Sequence, residues 1–331
     1  MSDTQTTASW LPADFEPGLV SVVIPTFNRA ELVCKTVRSV FAQTYPHVEV
    51  IVGDDASSDD TLARLEALRA ECPAGFRLEF FGGGKVGSCN LRNRGAARSR
   101  GEYLMFLDSD DLLTALALGQ LVETIAGVDL SWGAWRDLRS EEHVCRLSAP
   151  VRRSFSRDWL ADLMRGDWLA TCAVLYRRDV LHRIGGWRED TALESDFHFN
   201  MQLGIAGATQ AGRGDVVAYY RRGHLGQISE SGYAAKTAQT QLALQLAERS
   251  LDARGGWTPE RRAAMAARYF HMARMLLYHT GDIDGFERLL SEAKRVDPAF
   301  KPPKSWYRWI ATMAGFRNAE RVAAVGRKLF R

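Results

Sequence analysis

The sequence GEYLMFLDSDD, residues 101–111, joins a short apolar run to an abrupt acidic end. Residues 103–107 are all apolar or aromatic, which predicts a buried β-strand. Asp108, Asp110 and Asp111 follow at once. Because three carboxylates at one strand end repel one another, this pattern indicates a divalent cation shared with the phosphates of a ligand. The structural alternative is an acidic cap on the helix that follows.

Strands and helices alternate upstream of this run. The predicted strands cover residues 20–24, 48–52, 77–81 and 103–107, and helices are predicted over 30–42, 61–71 and 88–99. This alternation with short connections predicts an α/β domain with a mainly parallel sheet. In such sheets ligands bind outside the carboxyl ends of the strands. Three strand ends carry ligand-type groups, namely residues 26–29, the Asp54–Asp55 pair and the acidic cluster.

The signal weakens after Asp111 and then becomes helical. Strands are predicted at residues 128–135, 172–177 and 215–220, and helices at 156–165 and 193–205. Three further helices are predicted at 234–251, 259–279 and 283–296. The predicted organisation is a polar extension (1–17), an α/β domain (18–232), a helical region (233–300) and a basic amphipathic tail (301–331).

The composition is that of an ordinary globular protein, with 46% hydrophobic and 25% charged residues among 331. Five scattered cysteines without CxxC spacing favour a reducing compartment and argue against a zinc site. Residues 1–17 do not resemble a signal peptide, and no apolar run reaches about 18 residues. These features predict a cytoplasmic protein.

The net charge of +3 is unevenly distributed. Residues 301–331 hold eight basic residues and one acid, Glu320, so the rest of the chain is net negative and is not a nucleic-acid binder. Aromatic residues alternate with the basic ones at near-helical spacing. This pattern predicts peripheral contact with the inner membrane surface. The alternative is that the apolar stripe packs on the preceding helices.

Six stretches, in order, resemble the family 2 glycosyltransferases, the inverting, bacterial-type enzymes with the GT-A fold. The resemblance implies a Rossmann-like sandwich followed by an α-helical C-terminal region. The stretches are SVVIPTFNR (21–29), VEVIVGDDASSDDT (48–61), NLRNRGAARSRGEYLMFLDSDD (90–111), RRDVLHRIGGW (177–187), SDFHFNMQL (195–203) and YYRRGHLGQIS (219–229).

The resemblance assigns roles to individual positions. Asp196 would be the catalytic base, Asp110 and Asp108 would hold a metal, and His224 would close on the diphosphate beside it. The family's Glu-Asp pair is Ser195-Asp196 here, so an alternative register makes Glu194 the base. The nucleotide-sugar pocket would comprise Pro25, Thr26, Asn28, Arg29, Asp55, Arg92, Asn93, Asp108 and Ser109.

The implied reaction moves a sugar from a UDP-linked donor to an acceptor hydroxyl with Mn²⁺ or Mg²⁺ as cofactor. The acceptor would be a saccharide, a lipid-linked molecule or a protein, as in polysaccharide, glycolipid or glycoprotein assembly. Two alternatives stay open at this point. One is a nucleotidyltransferase, although residues 25–29 are not the Gly-rich basic loop that such an enzyme carries. The other is a non-catalytic nucleotide-sugar-binding module.

Overall fold

The computed structural model describes residues 10–82, 84–141, 144–191, 193–222 and 232–302, together with 313, 315, 318 and 319. Nine strands and ten α-helices lie in these ranges. The strands are β1 (Glu16–Thr26), β2 (Val48–Asp54), β3 (Arg77–Gly82), β4 (Gly101–Phe106), β5 (Leu112–Leu113), β6 (Leu130–Glu141), β7 (Val144–Leu147), β8 (Val174–Arg177) and β9 (Gln210–Arg222).

The helices connect these strands and then form the C-terminal region. They are α1 (Ala30–Phe41), α2 (Thr61–Ala67), α3 (Ser88–Ala96), α4 (Ala117–Thr124), α5 (Trp159–Arg165), α6 (Arg178–Ile184), α7 (Ser195–Ile205), α8 (Tyr233–Arg254), α9 (Pro259–Thr280) and α10 (Ile283–Val296).

All the described strands belong to one sheet, in the order β3-β2-β1-β4-β8-β6-β9-β5, with β7 paired to β6. The four strands β3, β2, β1 and β4 are parallel to one another, whereas β8 is antiparallel to both β4 and β6. Residues 20–24 and 48–54 are fully buried because helices cover both faces of the parallel part. The carboxyl ends of β1, β2 and β4 therefore lie side by side.

An aromatic core supports the end of β4. The rings of Trp187 and Phe199 stack with their centroids 4.0 Å apart, and Phe106 contacts both edge-on at 5.3 and 5.8 Å. Tyr176 of β8 completes the group, 5.6 Å from Phe199. Aromatic pairs in these geometries contribute about 0.5–1.5 kcal/mol beyond area burial. This packing holds α7 and the loop that carries Trp187 against β4 and β8.

Strand β9 is longer than the predicted 215–220 strand. Its first half contains Gly212 and Gly214, which weaken a strand signal. The structure explains Gly212, because a Cβ there would lie about 2.0 Å from the ring of Trp132 on β6. The 172–177 strand is shorter than predicted, since a 3₁₀ turn occupies Thr171–Ala173 before β8 begins.

The described residues form two compact units. The first comprises Met1–Ser154 and Leu169–Gln227 and contains the sheet. The second comprises Phe155–Trp168 and Ile228–Arg331, so the segment around α5 joins the C-terminal helices. Within this unit Arg165 pairs with Glu260 at 2.9 Å, and Arg261 pairs with Asp158 at 2.8 Å. The predicted boundary at residue 232 remains a prediction.

In the second unit α9 packs against α5, α8 and α10. Among the described residues, no helix is long and apolar enough to cross a bilayer. Most of the predicted basic tail, including 303–312 and 321–331, lies outside the described residues.

Candidate active site

Three aspartates form a compact cluster directly after β4. One carboxylate oxygen from each of Asp108, Asp110 and Asp111 lies within 4.8 Å of the others. Asp111 is buried and accepts a hydrogen bond from the backbone N–H of Arg221 at 2.8 Å. Burial, reinforced by the charges of Asp110 and Asp108, raises the pKa of Asp111 well above its usual range. The cluster is therefore short of positive charge.

Two arginines offset part of this negative charge. Arg29 Nη1 lies 2.8 Å from Asp110 Oδ2, and Arg92 Nη2 lies 2.5 Å from Asp108 Oδ1. The Arg92 guanidinium also lies over the ring of Trp187, 4.3 Å from its centroid. Its side chain is only 5% exposed, and its Nε and Nη1 have no hydrogen-bond partner within the described part of the chain. Arg92 is thus a fixed cation with spare donors.

The loop after β1 carries the first set of predicted residues. Asn28 has a positive φ of 48°, and its backbone N–H donates to Ser57 Oγ at 2.8 Å. Its Oδ1 accepts from the Ser58 N–H at 2.8 Å, so Asn28 ties this loop to the one after β2. Pro25 and Thr26 are buried, and the Thr26 hydroxyl has no partner among described residues.

Neither Asn28 nor Arg29 caps α1 with its side chain. Arg29 occupies the position before the helix without a side-chain cap, and Asp59 Oδ2 accepts from the Ala30 N–H at 3.2 Å. The Arg29 guanidinium is therefore available to the acidic cluster.

Asp55 lies at the end of β2, beside the loop that leads into α3. Its Oδ1 accepts from the backbone N–H groups of Val86 and Gly87 at 2.6 and 3.0 Å. The neighbouring Asp54 turns the other way and accepts from the Ser57 N–H at 2.9 Å. The Asp55 side chain thus fixes the loop before α3, at the edge where the predicted base pocket would lie.

Asn93 and Arg92 are adjacent on α3 but face different partners. Asn93 Nδ2 donates to the Trp187 carbonyl at 2.8 Å, and its Oδ1 accepts from the Trp187 N–H at 2.8 Å. Asn93 therefore clamps the loop that carries Trp187, whereas Arg92 reaches the acidic cluster. The sequence placed both residues in the sugar pocket, and the structure brings only Arg92 to the aspartates.

Asp196 lies in the first turn of α7 and keeps partial access to solvent. Desolvation raises the pKa of its carboxyl group to about 6, while the positive charge of Arg92 opposes this rise and that of Asp108 adds to it. The side chain of Thr171, on the 3₁₀ turn before β8, also lowers this pKa. Glu194 precedes the helix in a left-handed conformation with φ 55°. Asp196 therefore shares the charge environment of the acidic cluster.

Two neighbours of this site were missed from the sequence. Thr171 lies in a region of weak signal, and nothing in the sequence marked it. Arg221 lies in the stretch YYRRGHLGQIS, but its contacts with the cluster depend on how far β9 extends. Its Nε donates to the Asp110 carbonyl at 2.8 Å. Ser109 is buried between the aspartates. His224 lies outside the described residues.

The donor set suits a hard divalent cation. Carboxylate oxygens are the ligands that Mg²⁺ and Mn²⁺ prefer, and here three of them converge with incomplete charge compensation. Asp108 is the most accessible member, whereas Asp110 is 7% exposed beside Arg29 and Asp111 is 2% exposed and engaged with Arg221. The residues present therefore fit the metal that the sequence predicted.

Comparisons with known proteins agree with this geometry. Residues 21–185 match the family model "Glycosyl transferase family 2". A GalNAc(5)-diNAcBac-PP-undecaprenol β-1,3-glucosyltransferase of Campylobacter jejuni is 37% identical over 31% of this chain. The match spans only 33% of that relative's own length.

Two solved structures have a similar fold. TarS of S. aureus, residues 1–349 in complex with UDP-GlcNAc, aligns with a TM-score of 0.68 at 17% identity, over 94% of this chain and 92% of that one. The mannosyltransferase PcManGT of Pyrobaculum calidifontis, in complex with GDP-Man and Mn²⁺, aligns with a TM-score of 0.54 at 20% identity, over 96% and 90%. These likenesses confirm the predicted GT-A fold. The chain belongs to glycosyl transferase family 2.

Proposed function

We propose that this family 2 glycosyltransferase is a metal-dependent, inverting enzyme that transfers a sugar from a UDP-sugar to a hydroxyl of a lipid-linked saccharide. The observation that carries the proposal is the environment of Asp196. A partly exposed carboxylate with a pKa of about 6 lies in the same charge network as three clustered aspartates. Such a group is ionised at neutral pH and still basic enough to accept a proton.

The base would act on the acceptor. A neutral hydroxyl is a weak nucleophile until a carboxylate within hydrogen-bond reach removes its proton. The hydroxyl of Thr171, which lowers the pKa of Asp196, would orient this carboxylate. A single displacement on the side opposite the leaving diphosphate inverts the anomeric carbon, so an α-linked donor gives a β-linked product.

The leaving diphosphate would bind at the acidic cluster. Asp108 and Asp110 would hold a divalent cation, which neutralises charge on the departing phosphates when bound. Arg29 and Arg92 lie beside it and supply positive charge that favours phosphate oxygens there. The complex of the fold neighbour PcManGT with GDP-Man and Mn²⁺ supports a metal requirement.

The nucleotide and acceptor are assigned from relatives. The complex of TarS with UDP-GlcNAc supports a UDP-linked donor, and Asp55 is proposed to face the base. The name of the C. jejuni relative describes an acceptor on a diphospho-undecaprenol carrier, which supports a lipid-linked acceptor here. A cytoplasmic enzyme with a membrane-bound acceptor would work at the membrane surface. The basic tail, residues 301–331, is predicted to contact that surface.

Release of nucleoside diphosphate from UDP-sugars, with and without Mn²⁺, tests this proposal. We expect metal-dependent release that is abolished by Asp110→Ala. The matched control is Asp60→Ala, at an exposed position directly before α2. Full metal-dependent activity of Asp110→Ala would contradict the metal assignment. Release of pyrophosphate would indicate a nucleotidyltransferase, and donor binding without any turnover would indicate a binding module.

A further inference from the structure

Three arginines form a row across three neighbouring strands. In the strand register Arg139 of β6 is paired with Arg146 of β7 on one side and with Arg222 of β9 on the other. Adjacent strands lie about 4.8 Å apart, so the row spans roughly 10 Å. We name Arg139, Arg146 and Arg222 the arginine row.

Folding alone does not account for the arginine row, because like charges directly opposite one another destabilise a sheet. Arg222 is held by Asp137 at 3.5 Å and by the Tyr220 ring at 4.5 Å. Arg139 and Arg146 are exposed, and neither forms a salt bridge with a carboxylate whose side chain the structure describes. Two of the three cations are thus free to bind an anion.

The arginine row is distinct from Arg29, Arg92 and Arg221, the arginines that bond to the acidic cluster. Successive residues on a strand point to opposite faces, so Arg221 and Arg222 lie on different sides of β9. Arg221 faces the acidic cluster, where its Nε donates to the Asp110 carbonyl. Arg222 lies on the same side of β9 as Tyr220, whose ring it contacts at 4.5 Å. Burial, reinforced by the charges of Asp108, Asp111 and Asp196, raises the pKa of Tyr220, so this end of the arginine row lies near the acidic cluster.

We propose that Arg139, Arg146 and Arg222 bind phosphate groups of an anionic membrane and so seat the enzyme beside its acceptor. Guanidinium groups bind phosphate through paired N–H donors, and a flat row on a sheet suits a flat array of headgroups. The choice of a lipid surface rests on the lipid-linked acceptor proposed above. Vesicle binding needs no turnover, so failure of this inference is distinguishable from failure of the proposed reaction.

Sedimentation of the full chain with phosphatidylcholine vesicles containing phosphatidylglycerol tests the inference. Each basic residue near an anionic surface contributes about 1 kcal/mol, so Arg139→Gln/Arg146→Gln should lower the partition coefficient roughly 10- to 30-fold. The double variant Arg249→Gln/Arg288→Gln removes the same charge from the exposed surface of α8 and α10 and should sediment like the wild type. Removing like charges from the row should leave the melting temperature unchanged or raised.

Three results would overturn the inference. The first is that Arg139→Gln/Arg146→Gln, the row variant, sediments as much as the wild type. The second is that the control variant loses as much vesicle binding as the row variant. The third is that the wild type binds vesicles of phosphatidylcholine only and not the anionic ones. A thermal-shift measurement with inorganic pyrophosphate distinguishes lipid headgroup phosphate from a soluble phosphate ligand. Stabilisation of the wild type but not of the row variant, without vesicle binding, would assign the row to a soluble phosphate and refute the membrane assignment.

Discussion

Asp196 combines partial solvent access with a carboxyl pKa raised to about 6, mainly by desolvation. The Asp196→Asn variant keeps the shape and loses the basic group. We expect donor affinity to be nearly unchanged and turnover to fall by a factor of about 10² to 10⁴, the usual scale for a lost general base. Nucleoside diphosphate release with acceptor gives the rate, and calorimetry gives the donor affinity. Glu194→Gln is the control. The same loss of turnover in that variant would show that Glu194, and not Asp196, is the base.

The same pKa predicts a pH profile. The base acts in its deprotonated form, so activity should be constant above about pH 7 and fall about tenfold per unit well below pH 6. The residual activity of Asp196→Asn should not show this fall below pH 6. A wild-type profile that stays flat down to pH 4 would show that Asp196 does not accept the proton.

Arg29 neutralises Asp110 in the absence of a ligand, at an N–O distance of 2.8 Å. A divalent cation must compete with this ion pair for Asp110. We expect Arg29→Gln to bind Mn²⁺ about two- to tenfold more tightly without nucleotide, the scale of a partly exposed ion pair, and to bind UDP more weakly. The signal of free Mn²⁺ in electron paramagnetic resonance measures the first effect.

Arg38→Gln is the matched control for Arg29, since Arg38 lies on α1 and pairs with Glu71 at 2.7 Å on the exposed surface. Its Mn²⁺ affinity should equal that of the wild type. Weaker Mn²⁺ binding by Arg29→Gln would mean that the guanidinium assists the metal site and does not compete with it.

Residue chemistry was predictable from the sequence where a motif lay at a strand end. Asp108, Asp110 and Arg29 do come together, because parallel strands β1 and β4 end side by side. The contributions of Thr171 and Arg221 could not be predicted, since each reaches the site through a non-local strand pairing. Asn93 was placed in the nucleotide-sugar pocket by its motif, but in the structure its side chain bonds to the backbone of the Trp187 loop.

The α3 clamp on the Trp187 loop is the element-scale feature that holds the site together. Asn93→Ala would leave the buried Trp187 N–H and carbonyl unpaired, which costs about 1–3 kcal/mol. Asn90→Ala on the same helix, which loses only an exposed bond to Glu189, is the control and should cost less. Denaturant unfolding gives both values. Equal small losses would show that the loop is held by the aromatic stacking alone.

The boundaries of helices and strands were predictable where local capping residues set them, and less so where tertiary packing did. Helix α10 begins and ends where predicted, because Asp282 caps it by accepting from the Gly285 N–H and Asp297 follows its last turn. Strand β9 is longer than predicted, since Gly212 is required by packing against Trp132 and carries no local strand preference. The early βα units were predicted well because local apolar runs and tertiary burial agree there.

At the scale of the whole molecule, the predicted tail provides a second test. A chain ending at Phe300 loses seven net positive charges and should sediment with anionic vesicles less than the full chain, increasingly so at low salt. The comparison uses the same vesicles as above. Equal sedimentation of the two chains, or none by either, would leave the tail as a packing element.

The position of β8 between β4 and β6 has a consequence for synthesis on the ribosome. Strand β4 can pair with β1 as soon as residue 106 has emerged, yet its other edge is covered only when Val174–Arg177 follows. At ribosomal elongation rates, residues 107–173 take on the order of 3 to 15 seconds to add. During that interval the nascent chain presents a buried-type strand, Gly101–Phe106, with one open edge. That interval is when the newly made protein is most exposed to misassembly and has most use for a chaperone.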